Sequence, residues 1–171
     1  MFKYSFTAAA LLLTSGCSSL LPLDYSGYEG TDAATIHVKN ARGNVGTIYI
    51  TKYEYLADEA CYKMDTKYEL DSNVLKADGN IIRENIKVGG FYAVEQIYNS
   101  GTWIAYRTST FIPEAGQHYY ITPGYNVLEI PATLQVTPDT DDAMMQGKYP
   151  KTKNGWPARA KCKNLIGKIL S

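Results

Sequence analysis

Hydrophobic and polar residues alternate along most of this chain, beginning at TIHVKN (35–40). There Ile36 and Val38 fall on one face and Thr35, His37 and Lys39 on the other, the period-2 pattern of a half-buried strand. TIYITKYEYL (47–56) repeats the pattern, and the Gly- and Asn-containing NARGNVG between the two runs predicts a hairpin. CYKMDTKYEL (61–70) is a further strand. ADGN at 77–80 is a turn signal, and IIRENIKV (81–88) follows it as another strand. FYAVEQIYN (91–99), the turn SG and TWIAYRTSTFI (102–112) form a second hairpin. PEAG (113–116) places Pro and Gly where a turn wants them, and QHYYITPG (117–124) continues extended. NVLEIPATLQV (126–136) supplies one or two more strands.

Short runs rich in Thr, Val, Ile and Tyr, spaced by turns and without βαβ alternation, predict an all-β fold. The expected architecture is a single antiparallel β-sandwich, Ig-like or transthyretin-like, of seven or eight strands with a short C-terminal helix. That helix is read from CKNLIGKIL, where Cys162, Leu165, Ile166 and Ile169 stand at i, i+3, i+4 and i+7. Gly167 weakens it. It would either dock on the sandwich or lie on anionic lipid.

The first residues follow a different rule. Lys3, the apolar run from Phe6 to Leu13 broken only by Thr7, and the small residues Thr14, Ser15 and Gly16 give the layout of an export signal. The run is too short to span a bilayer as a mature helix. The ending LTSGC resembles the lipobox of bacterial lipoproteins, with Thr14 where that family most often has leucine. The resemblance implies cleavage before Cys17 and acylation of that cysteine. At about 0.8 kcal/mol per buried methylene, two or more acyl chains anchor a protein durably. Ser18 in place of an aspartate implies passage to the outer membrane, facing the periplasm. An ordinary secretory signal and an uncleaved anchor are the rival readings. The expected organisation is a signal at 1–16, a lipid-anchored flexible tether at 17–33 and a sandwich domain at 34–171, with a basic segment from about 148.

Charge sharpens this division. The chain carries 17 basic and 17 acidic residues. Seven cations, Lys148, Lys151, Lys153, Arg159, Lys161, Lys163 and Lys168, occupy the last 24 residues with no acid among them, so 17–147 holds nine cations against 17 acids. Such asymmetry predicts a partner for the tail, inside or outside the molecule. With Cys17 acylated, Cys61 and Cys162 are left as an even pair in an oxidising compartment, and a disulfide is expected. A metal site is the alternative, but neither His37 nor His118 has ligand-like spacing to a cysteine.

Candidate chemistry is sparse. His37 and His118, the usual bases, are read as solvent-facing strand residues with no nucleophile motif beside them. Glu54, Glu59, Glu69, Glu84 and Glu95 are read as exposed charge, and DTDD (139–142) as a solvated acidic loop. No catalytic residue, cofactor, metal or nucleic-acid partner is expected. Aromatics are the stronger feature, with 15 tyrosines. Tyr49, Tyr53 and Tyr55 share one strand face opposite Ile48 and Ile50; with Trp103, Lys161 and Lys163 they form the candidate binding set. TSTFIPEAGQHYYI (108–121) is similar to a segment of small bacterial β-sandwich lipoproteins, which bears on fold alone. The expected function is a membrane-anchored, non-catalytic binding or scaffold protein contacting an envelope protein. The alternatives are a module binding peptidoglycan or lipopolysaccharide glycan through tyrosines and the basic tail, and a small hydrolase or hydrolase inhibitor.

Overall fold

The computed structural model describes residues 23–40, 46–72, 80–99 and 104–162. Cys17, Trp103, Lys163 and the expected helix after Cys162 lie outside these residues. Among the described residues nine strands form two sheets. In chain order they are β1 (Leu23–Asp24), β2 (Ala33–Asn40), β3 (Thr47–Leu56), β4 (Cys61–Ser72), β5 (Asn80–Lys87), β6 (Phe91–Asn99), β7 (Ile104–Phe111), β8 (His118–Ile121) and β9 (Leu128–Ile130). Sheet A runs β1-β4-β3-β6-β7 and sheet B runs β5-β2-β8-β9. Their apolar faces meet in one core: Ile48, Ile50, Val94 and Phe111 from sheet A against Ile36, Val38, Ile86 and Ile121 from sheet B. The all-β sandwich read from the alternation is the fold.

Its wiring differs from the expected purely antiparallel one. β1 pairs with β4 in parallel, Leu23 opposite Tyr68, and β2 pairs with β8 in parallel, Thr35 opposite His118. The hairpin expected between β2 and β3 is absent. β2 lies between β5 and β8, and β3 between β4 and β6. Ile36 and Val38 do meet Ile48 and Ile50, but across the sandwich rather than along a ladder. Period-2 alternation specifies which face is buried and is silent on which strand is the neighbour. The hairpin expected between β6 and β7 is present, with Val94 opposite Ser109. NVLEIP yields one strand, β9.

Two segments placed outside the sandwich are packed on it. The supposed flexible tether is docked from Leu23 onward: β1 extends sheet A, Tyr25 packs against the core and its hydroxyl donates to the Asn85 carbonyl at 2.8 Å. Apolar rings in a Gly/Ser-rich stretch outweigh the composition that suggested coil. The second segment is a belt, residues 131–162. It crosses the outer face of sheet B, passes the β7 edge and ends on the outer face of sheet A. Its first half contains helix α1 (Asp142–Lys148), which takes in Asp142, the last residue of the stretch 139–142 expected as a solvated acidic loop; Asp139 and Asp141 lie outside the helix and are exposed. The Asp141 side chain caps that helix by accepting from the Met144 N–H at 2.9 Å, and Asp142 sits in the first turn, where negative charge is favourable. Met145 is its buried residue, seated with Tyr120, Leu128 and Ile130 on sheet B. The polar face of β2 is therefore interior: His37 and Lys39 are buried, and the Lys39 ammonium pairs with Asp142 at 3.3 Å.

Candidate functional site

The outer face of sheet A carries the residues singled out in the sequence. Because β3 alternates, Tyr49, Thr51, Tyr53 and Tyr55 point away from the inter-sheet core. The belt then covers much of that face. Trp156 lies over Tyr53, ring centroids 4.9 Å apart, and Tyr53 is only 5 % exposed. The Trp156 indole donates to the Tyr92 carbonyl at 2.8 Å, fixing the ring. Tyr49 is half-buried with the Lys67 ammonium over its ring at 4.1 Å. Tyr53 and Tyr49 thus have their ring faces occupied, and the three tyrosines do not form the expected common stacking platform.

Tyr55 is different. It is 45 % exposed and sits opposite Tyr62 across the β3–β4 ladder, ring centroids 5.0 Å apart. Phe91 closes the cluster at 4.9 Å from Tyr62, and Met64, 55 % exposed, stands beside Tyr62 on the same strand face. A groove of about 450 Å³ runs along this corner, lined by Tyr53, Tyr55, Phe91, Glu54 and the Gly89–Gly90 turn. The rings are inclined to one another by 51° and 66°. The result is a ridged apolar surface with hydroxyl and carboxylate groups at its rim.

Glu95 organises the covered half. Its carboxylate accepts from Lys161 and from the hydroxyls of Thr51 at 3.2 Å and Tyr53 at 3.4 Å, with Lys67 at 3.8 Å. The expectation of an exposed Glu95 is corrected: its side chain is 14 % exposed, beneath the belt. Lys161, read as a free binding cation, is instead the internal partner of that acid. Burial alone would lower its pKa, but the hydrogen bonds to Glu95 and Tyr53 outweigh it and hold the ammonium above the ordinary lysine value. The basic tail therefore finds at least one partner inside the molecule. Cys61 and Cys162 are joined, closing a loop of 101 residues and fastening the belt to β4. With Glu59 they make a grouping of ligand atoms, but sulfurs bonded to each other offer no thiolates.

The histidines also depart from their expected exposure. His37 Nε2 and His118 Nδ1 face each other at 3.4 Å on the outer side of sheet B. Burial, then Arg83 and His118, push the His37 pKa down to about 4, and burial with Arg83 lowers His118. Tyr62, Met64, Phe91 and Trp156 escaped the sequence reading. Tyr62 had a findable signal: a short turn joins Leu56 to Cys61, so Tyr55 and Tyr62 fall opposite each other once β3 and β4 are paired. Trp156 had none, because its burial depends on a belt with no periodicity. Compared with known proteins, the chain matches no family model, no curated protein and no solved structure.

Proposed function

We propose that the protein is a lipid-anchored, non-catalytic binding domain of a bacterial envelope, held at the outer membrane by an acylated Cys17 and facing the periplasm. It contacts a protein partner through the corner formed by Tyr55, Tyr62, Met64 and Phe91. The observation that carries this reading is the exposure of Tyr55 and Met64 beside a packed aromatic cluster, at 45 % and 55 %. Aromatic and methionine side chains are enriched at the centres of protein interfaces, where few residues supply most of the affinity. Mutually inclined rings suit an irregular protein surface better than a flat sugar face. Anchoring raises the effective concentration of the corner against partners confined to the same surface.

The test is site-specific photocrosslinking in cells producing the full-length chain, with the probe at position 55 or at position 144. Met144 is 59 % exposed on α1, which packs on the opposite sheet. One protein captured from position 55 and not from 144 supports the reading. Equal capture from both positions, or none from 55, contradicts it. In parallel, Cys17→Ala should move the protein from the membrane to the soluble fraction; an unchanged distribution removes the anchor.

A further inference from the structure

At one end of the sandwich, on the inner side of sheet A, the space between the sheets opens into a cavity of about 300 Å³. Its lining includes the rings of Tyr25, Tyr28, Tyr68 and Tyr92, with the Lys52–Asp65 ion pair (3.0 Å) at its rim and Ile50 below. That volume is at the lower end of small-molecule sites, about 300–1,000 Å³. We propose that this cavity binds one neutral pyranose-sized sugar ring; Lys52 and Asp65 also border the groove at the aromatic corner, whereas Tyr25, Tyr28, Tyr68 and Tyr92 line the cavity and not that groove.

The rings are fixed before any ligand arrives. Tyr25 donates its hydroxyl to the Asn85 carbonyl at 2.8 Å and sets its ring edge-on to Tyr68, centroids 5.5 Å apart. Tyr28 donates to the Asp32 carboxylate. Its ring folds back over Gly30, where a Cβ would meet the Tyr28 ring tip, so a larger residue there would displace that ring. Tyr92 is 6 % exposed, and burial pushes its pKa up to about 12, leaving a neutral phenol. A site whose side chains are already ordered loses less freedom on binding.

Chemistry narrows the ligand. Tyrosine rings offer flat apolar faces for the C–H faces of a sugar, with polar tips between them. The ion pair is half-exposed and presents a donor and an acceptor 3.0 Å apart, suited to neighbouring hydroxyls. A purely apolar guest would desolvate these charges without replacing their hydrogen bonds. Charge also argues against an ionic guest. Lys52 is matched by Asp65, and Lys87, which lies over the Tyr28 ring at 5.9 Å, is matched by the nearby Asp32.

Saturation-transfer NMR on the oxidised, full-length chain decides the matter, with neutral methyl glycosides of glucose, galactose and N-acetylglucosamine at millimolar concentration. Glucuronate serves as the anionic comparison. Transfer to the ring protons of at least one neutral glycoside is expected, with affinity about tenfold weaker in Asp65→Asn and in Tyr28→Ala, the loss of one charge-assisted hydrogen bond or one stacking face. Both positions are peripheral, and an unchanged melting temperature shows that the fold is intact; should one variant unfold, the other decides. No transfer from any neutral glycoside, stronger binding of glucuronate, or unaltered affinity in an intact variant overturns the proposal.

Discussion

Glu95 shows how one side chain can hold two parts of the molecule together. It lies on β6, yet its strongest partner is Lys161, 66 residues later in the belt. Glu95→Gln removes the charge while leaving the shape, so the Lys161 ammonium loses its counter-ion in a largely covered place. A hydrogen bond to a charged group contributes about 1.5–3 kcal/mol, and a loss near 2 kcal/mol in chemical denaturation is expected. Pairing it with Lys161→Met should recover part of that loss, because the second change removes the stranded charge. Strictly additive losses would show that the two groups are not coupled. His37 gives the pH counterpart. Its folded pKa, about 4, lies below the ordinary 6.5, so the unfolded chain binds the extra proton first. The stability due to neutral His37 is full above pH 6.5, declines as pH falls, and is gone by about 4, a total of about 3 kcal/mol at 1.36 kcal/mol per unit. Burial is the largest cause of this value; Arg83 on β5 and His118 on β8 add to it, and both oppose charging of the ring. In His37→Gln the fall in stability between pH 6.5 and 4 should be shallower by that amount; parallel curves for the two proteins would refute it.

Helix α1 tests how far element-level rules reach. Asp141 caps it through the Met144 N–H, and loss of such a cap costs about 1 kcal/mol. Asp142 has a different role: its carboxylate accepts from Tyr120 at 2.5 Å and from Thr122 at 3.3 Å, and pairs with the buried Lys39. Asp142→Ala should therefore destabilise more than Asp141→Ala, by about 2 kcal/mol or above, since it strands a covered cation. Urea titration of the two variants settles the order, and the reverse order would mean that capping dominates. From sequence, DTDDAMMQGKY gave no hint of this, because a seven-residue helix with a single buried methionine has no stripe to detect. The strands were legible for the opposite reason: β3, β5, β6 and β7 each alternate over enough residues to mark an inner face. Pairing was legible where few residues separate neighbours, as in β6 and β7, and illegible between β2 and β3, which belong to different sheets. The tyrosine parity on β3 was read correctly, yet its exposure was not, since what covers Tyr53 is Trp156, 103 positions along the chain.

The belt makes the two faces of the sandwich answer to one covalent bond. It is seated on sheet B by Met145, bridged to β9 at Lys151, hydrogen-bonded to the end of β7 through the Asn154 carbonyl, and pressed onto sheet A by Trp156. Its last described residue is Cys162, bonded to Cys61 at the start of β4. A bridge across 101 residues restricts the unfolded chain by up to about 4.7 kcal/mol in the loop-entropy account, the upper limit of what Cys61→Ser with Cys162→Ser should cost in global stability. The local effect is more informative. Without the bridge, the end of the belt keeps the Lys161–Glu95 pair, the backbone contacts to Tyr62, the Trp156 stack and the Trp156 hydrogen bonds to Tyr92 and Thr110, whereas α1 retains its whole interface with Tyr120, Leu128 and Ile130. Hydrogen exchange on the double-serine protein should thus show the Cys162 amide, which donates to the Tyr62 carbonyl at 2.9 Å, losing protection first. The Tyr149 amide at the end of α1, bonded to the Met145 carbonyl at 3.0 Å, should change only by the global loss. If both amides lose protection equally, the belt opens as one unit and the bridge guards both faces; if neither changes beyond the global loss, the packing of Trp156 and Lys161 holds the belt without it.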